Sequence, residues 1–340
     1  MSGDGPELLA VGVDSGGTAT RVLAVDLAGR RRGRGRAGGG NPTSHSPEAW
    51  STAVADALGQ ALASSRGAEV VSVVVGMAGG GALLDPGMAA RLDQTVRSHV
   101  GPTCRVQLTG DVVVAFSTGS PALEGTILVA GTGAAAASIR DRALAGIVDG
   151  HGWLLGDAGS GFWLGREAVR AALSALDARR ARTTLLSPVV AELLERSAAA
   201  ADARRTCVDL VHAVNSRPAV ELARLAPLVS RCAAEGDPVA LDIAHDAVSH
   251  LVSAVEAVRA PGDTSPLVVT GGVVVAGNLI GSMVRRQLEA RWPGCVRPVP
   301  DGAAGAAWLA LAAWSGADAP RAAELHRLIT AQETSASPTG

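Results

Sequence analysis

Two short glycine turns hold the residues best suited to chemistry. Asp14-Ser15-Gly16-Gly17-Thr18 joins two β-type runs, Leu8–Val13 and Arg21–Leu27, as a hairpin with a polar tip. Such a tip suits phosphate. Glycines at 16 and 17 tolerate positive φ and keep side chains away, so backbone N–H groups can converge on an anion beside the Thr18 hydroxyl. Asp14 ends the first run, where one carboxylate suits a hydrated Mg²⁺ that takes its other ligands from water and phosphate. The same five residues also suit an ordinary hairpin turn. Ala130-Gly131-Thr132-Gly133 repeats the arrangement between Gly125–Val129 and Ala134–Ile139. Two phosphate-gripping hairpins, one per domain, would clamp a nucleotide, and domain closure would keep water from the transferred group.

Other stretches must position these turns. Pro47–Ser64 carries apolar residues at helical spacing and Pro86–Val100 reads as a second helix. The valine-rich run Val70–Gly76 reads as a central strand opening into Met77–Gly81, and Arg105–Thr109 as a strand running into Gly110-Asp111. Gly146–Gly165 holds seven glycines and two tryptophans in twenty residues. It reads as a functional loop leading into a helix from about Ser160 to Leu176, or as an irregular connection. Residues 177–262 are helical in pattern, with Val239, Ile243, Ala247, Leu251, Val255 and Val258 as one core stripe. Pro266–Thr270 is a strand entering Gly271-Gly272, followed by a Gly277-Asn278 turn, a helix Leu279–Arg291, a strand Cys295–Val299 and a helix Ala303–Trp314. Thr334–Gly340 reads as disordered.

Composition narrows the function. A chain of 340 residues with 47% hydrophobic content and net charge −2 reads as an α/β globule of two domains with no general pull toward nucleic acid. Lysine and tyrosine are absent. That excludes a Walker-type P-loop, a protein kinase and Schiff-base chemistry, each of which needs a lysine. Cys104, Cys207, Cys232 and Cys295 are scattered, so they read as reduced thiols rather than a metal or redox pair. His245 and His250 are five apart, off one helical face, and imply no metal pair. The N-terminus lacks a signal-peptide pattern and no apolar run is long enough to span a bilayer, so a cytoplasmic protein is expected. Gly29–Gly40 carries five arginines and reads as a third strand with a solvated basic face, or as a small anion patch.

Taken in order, Asp14–Thr18, Gly110-Asp111, Ala130–Gly133, Gly152–Ser160, and Thr270–Gly272 with Gly277-Asn278 resemble the BadF/BadG/BcrA/BcrD-type ATPase family. Its best-known sugar-phosphorylating members are the N-acetylglucosamine kinases of the actin/hexokinase/Hsp70 superfamily. The resemblance spans about residues 8 to 316. It implies two ribonuclease H-like (actin-like ATPase) domains with a nucleotide cleft between them. These would be residues 1–115 plus about 303–335, and residues 116–302 with a helical insertion at about 177–262.

The same resemblance implies ATP as co-substrate, Mg²⁺ near Asp14, and an amino sugar as acceptor. Gly16, Gly17 and Thr18 would meet the β- and γ-phosphates, Gly131, Thr132 and Gly133 would form the second phosphate motif, and Gly271, Gly272 and Gly277 would lie against the adenosine. Asn41, Gly79, Asp111, His151, Gly152, Trp153 and Asp157 would contact the sugar. Asp111, at a strand end beside glycine, is the candidate base for the attacking hydroxyl. Turn-capping by Asp111 and helix-capping by Asp157 are the structural alternatives. His151 stands where these kinases usually have tryptophan and Ala158 where they have glutamate, so the acceptor stays open between N-acetylglucosamine or glucosamine and another sugar or cyclitol. An ATPase that activates a partner protein, or a sugar-sensing binder, is the non-kinase alternative. Relatives of the first kind carry an iron–sulfur cluster on paired cysteines, which this sequence lacks. Related kinases are often dimers, so a homodimer is among the implied partners, with neither nucleic acid nor membrane.

Overall fold

The computed structural model describes residues 6–42, 45–65, 67–78, 85–177, 183–196, 202–300, 302–316 and 318–331. Gly79 of the implied sugar set and the Thr334–Gly340 tail lie outside them. Contacts divide the chain into two compact units, Met1–Gly125 with Ile139–Ala145 and Val299–Gly340, and Thr126–Ser138 with Gly146–Pro298.

The first unit is built on five strands: β1 (Leu8–Ser15), β2 (Thr20–Asp26), β3 (Arg31–Ala37), β4 (Glu69–Met77) and β5 (Arg105–Gly110), in the order β3-β2-β1-β4-β5. β1 and β2 form the expected antiparallel hairpin, β3 adds antiparallel to β2, and β4 and β5 run parallel to β1. Helices α1 (Pro47–Leu62) and α2 (Pro86–Val100) supply the crossovers. α1 starts at Ser46, whose side chain accepts from the Ala49 amide, with Pro47 in the first turn. Trp50, Val54, Ala57 and Leu58 are fully buried with the α1-facing side chains Leu9, Val11 and Val13 of β1. The opposite face carries α11 (Ala304–Ser315) and α12 (Ala319–Ala331). That packing requires Gly12 in β1: a Cβ there would overlap the backbone of Ala303, Ala306 and Ala307.

The second sheet, most of which lies in the second unit, repeats the plan. Its strands β6 (Gly125–Ala130), β7 (Ala134–Arg140), β8 (Ala143–Asp149), β9 (Leu267–Thr270) and β10 (Val296–Pro298) run in the order β10-β9-β6-β7-β8. Reading β6 to β10 as β1 to β5 gives the same strand order. β9 runs parallel to both β6 and β10, as β4 does to β1 and β5. Helices α4 (Gly161–Leu176), α5 (Leu186–Leu194), α6 (Ala203–Asn215), α7 (Ala226–Ala234), α8 (Pro238–Val258), α9 (Gly272–Val275) and α10 (Leu279–Arg291) complete this unit. On α8, Val239, Ile243, Ala247, Leu251 and Val255 are buried, whereas Val258 is partly exposed. All four cysteines are free thiols, with Cys207 partly exposed and the others buried.

Two of the differences from the sequence reading bear on the site. β8 extends into the stretch read as loop, so Gly146–Asp149 is an edge strand. Asp111–Gly119 forms a further helix, α3, directly after β5.

Candidate active site

In the first unit, the parallel strands bring three chemically marked ends together. Asp14 of β1 pairs with Gly76 of β4, and Gly76 pairs with Thr109 of β5, two residues before Asp111. Two interstrand spacings place the ends of β1 and β5 roughly 10 Å apart. Asp111 opens α3, where its Oδ1 accepts the Val112 amide at 2.9 Å. Gly76 keeps β4 close to it: a Cβ there would stand 3.6 Å from the Asp111 Cα and overlap Val114. Asp14 lies opposite Arg21 on β2, Oδ2 to Nη1 3.5 Å, a partner that sequence spacing alone did not reveal. The β1–β2 register makes it evident.

The turn after Asp14 holds itself by backbone bonds. Gly16 donates to the Ala19 carbonyl at 3.0 Å and accepts from Gly40 at 2.9 Å. Neither Gly16 nor Gly17 takes a positive φ, a departure from the sequence reading. Their missing side chains serve access instead, since nothing lies within 4 Å of where a Cβ on Gly17 would be. The turn leaves the amides of Gly17 and Thr18, both exposed, directed at neither strand. Beneath it, Ser15 Oγ meets Thr20 Oγ1 at 3.3 Å and donates to the Gly40 carbonyl. The Asn41 carbonyl accepts from the His45 amide and lies 3.2 Å from its Nδ1.

In the second unit the corresponding turn closes over a shorter span, one residue fewer than in the first. Gly131 donates to Gly133 at 2.9 Å, leaving the amides of Thr132 and Gly133 as the counterparts of Gly17 and Thr18. The carbonyls of Gly131 and Thr132 accept from Gly161 and Phe162, so the turn is stitched to the start of α4. Gly271, at φ +99°, presses on the backbone of Ala130 and Gly131, a place a side chain cannot occupy. Gly272 begins α9. Gly277 precedes Asn278, whose Oδ1 caps α10 by accepting from Gly281, and the space beside Gly272 and Gly277 is open.

Among the described residues, the loop between β8 and α4 gathers the most left-handed backbone. Asp149, Gly150, Gly152, Asp157 and Gly159 all take positive φ, two of them aspartates. Asp149 organises it: its carboxylate accepts the Asp157 amide at 2.6 Å and the Ala158 amide at 2.9 Å. Sequence reading passed over Asp149, although Asp-Gly after a strand is a left-handed turn signal. Asp157 is held beside the second turn, Oδ1 accepting from Ala134 at 3.1 Å, with its carboxylate against Gly133. Ser160, not Asp157, caps α4 through the Trp163 amide. His151, Gly152 and Trp153 are exposed, and the Trp153 ring stands 5.6 Å from that of Phe162.

Burial raises the Asp157 carboxyl above the ordinary aspartate range. The Ala134 amide opposes that shift, and the Asp149 charge adds to it. A raised folded-state value contributes stability that is full below the unfolded value of about 4 and is lost as pH rises through the raised value. Asp157→Asn keeps an acceptor for Ala134 and removes the charge. Its melting temperature, relative to wild type, should therefore be higher at pH 7 than at pH 4. Identical pH differences in the two proteins would count against the assignment.

As for an ion, Asp14 offers one carboxylate at a strand end beside a phosphate-suited turn, the donor set that a hydrated Mg²⁺ takes together with nucleotide oxygens. Among the described residues no three His, Cys, Asp or Glu form a cage of their own. No helix among them is long and apolar enough to cross a membrane.

A model of the BadF/BadG/BcrA/BcrD ATPase family matches residues 11–310. The N-acetyl-D-glucosamine kinase of Dictyostelium discoideum is 25% identical over 318 residues, covering 88% of this chain and 97% of that one. An N-acetylmuramic acid/N-acetylglucosamine kinase of Clostridium acetobutylicum is 25% identical over 242 residues, 69% of this chain and 73% of its own. Among solved structures, a Chromobacterium violaceum protein assigned as an N-acetylglucosamine kinase shares the fold at TM-score 0.70 and 23% identity, over 90% of this chain and 99% of that one.

Proposed function

Since the chain belongs to the BadF/BadG/BcrA/BcrD ATPase family, we propose that it is an ATP-dependent kinase that places the γ-phosphate on the 6-hydroxyl of an amino sugar, N-acetylglucosamine or glucosamine. The observation that carries the reading is Asp111: a carboxylate at the carboxyl end of β5, in the row of strand ends that also presents Asp14 and the first glycine turn. A sugar sensor that only binds has no need of a base there.

In this reading Asp111 accepts the proton of the attacking sugar hydroxyl as its oxygen bonds to the γ-phosphorus and the bond from that phosphorus to the bridging oxygen breaks, releasing ADP. The amides of Gly17 and Thr18 hold phosphate oxygens in the first unit, and those of Thr132 and Gly133 do so in the second. Gly271, Gly272 and Gly277 would lie against the adenosine, Gly272 and Gly277 with open space beside them. Asp14 would hold Mg²⁺ through water, and the ion would supply charge neutralisation on the phosphates. Asn41, Gly79, His151, Gly152, Trp153 and Asp157 take the acceptor. His151 and Ala158 are the positions that distinguish this chain from a plain N-acetylglucosamine kinase pattern, since a few placed polar groups set specificity.

ADP release from Mg·ATP tests this directly, with glucosamine, N-acetylglucosamine, N-acetylmannosamine, N-acetylmuramic acid, glucose and no sugar as parallel arms. Release dependent on N-acetylglucosamine or glucosamine is expected. Release without any sugar would replace the kinase reading with an ATPase.

A further inference from the structure

The arginine run on β3 is not absorbed by the kinase reading, and the structure gives it a shape. Gly33 and Gly35 face α1, where a Cβ would overlap the Ala61 and Ala57 carbonyls. Alternation therefore turns Arg34 and Arg36 to the opposite side of the sheet, where they are exposed. Arg36 pairs directly with Arg21 on β2, and Arg34 with Leu23. These three arginines line a basin of about 460 Å³ that Gln60, Gly302 and Ala303 help to close. Ala303 is also the N-cap of α11, whose Gly305 amide already donates to Thr118 Oγ1.

The described charged side chains that line this basin are all arginines, of which Arg21 meets Asp14. Among the described residues lining it none is acidic, and no carboxylate among them meets the side chains of Arg34 or Arg36. Like charges directly opposite on neighbouring strands are destabilising, and an anion between them relieves the repulsion. Guanidinium forks match tetrahedral oxyanions. We propose that the basin is a second, non-catalytic site for a phosphate group, free or as a monoester, gripped by Arg34 and Arg36 with Arg21. Arg21 also meets Asp14 at 3.5 Å, so an occupied basin competes with Asp14 for that guanidinium.

Calorimetric titration of the intact protein at constant ionic strength, with inorganic phosphate and separately glucose 6-phosphate, reads the binding without any turnover. One saturable site is expected, weakened at least tenfold in the doubly substituted Arg34→Gln/Arg36→Gln protein and kept in Asp111→Asn. Both arginines are exposed, and a melting curve verifies the fold. Arg34→Lys/Arg36→Lys keeps the charge without the fork and should bind with intermediate affinity. A tighter monoester assigns the site to sugar phosphates, and equal affinities assign it to free phosphate. No saturable binding, or binding unaltered by the double substitution, overturns the proposal whether or not the protein is a kinase.

Discussion

Asp111→Asn is expected to lower kcat about 10³-fold, in the middle of the range for losing a positioned general base, while Kd for acceptor and nucleotide stays within a few-fold. Magnitudes separate this from a structural effect. A 10³-fold loss corresponds to about 4 kcal/mol in the transition state, whereas a negative charge in the first turn of α3 is worth about 0.3–1 kcal/mol of stability. Asparagine retains an oxygen for the Val112 amide, which donates to the Asp111 carboxylate at 2.9 Å in the native protein, so α3 still has its starting contact. A protein that melts within a few degrees of wild type and binds both substrates, yet fails to turn over, identifies the carboxylate as the proton acceptor. If the rate survives, Asp111 is only the start of a helix, and the kinase reading loses its base.

The fold was legible wherever burial imposes a period. β4 is a continuous apolar run because it is covered on both faces, and β1 shows its pairing through the hairpin that follows. β8 was not legible for the opposite reason. Its residues Ala143–Asp149 are exposed or half-exposed, with Gly146 at the centre, so no alternation marks it. Its place is set by pairing at the sheet edge, and the likeness of the two sheets would have foretold it. α3 hides behind Val112-Val113-Val114, a β-branched triplet that becomes helical because β4 and α11 enclose it, with tertiary packing overriding propensity. At the site, glycines and acids announced themselves by type. Arg21 and Asp149 did not, because their roles follow from register and from a left-handed backbone, neither of which a linear spacing displays.

Asp149→Ala is the second large effect expected, and it acts at a distance from any reacting atom. The carboxylate of Asp149 takes two backbone amides, those of Asp157 and Ala158; hydrogen bonds to a charged group are worth about 1.5–3 kcal/mol each. Against them stands backbone strain of about 1–3 kcal/mol at each non-glycine residue in the left-handed region, here Asp149 at φ +66° and Asp157 at φ +57°. With the carboxylate gone the strain outweighs the hold, and Asp157 leaves its place beside Gly133. The acceptor KM should then rise about 10- to 100-fold, the equivalent of roughly 1.4–2.7 kcal/mol. Unfolding is not expected, because residues 151–155 are exposed and outside the core of α4 and α8. Asp149→Asn, which keeps one acceptor oxygen and tolerates the left-handed conformation, should recover most of the loss. A second readout separates positioning from mere packing. The Asp149 charge is one of the causes that raise the Asp157 carboxyl, so Asp149→Asn should narrow the difference in melting temperature between pH 4 and pH 7 in the direction of Asp157→Asn. An unchanged acceptor KM in Asp149→Ala would show that the loop holds its shape without this residue, and would remove Asp149 from the site.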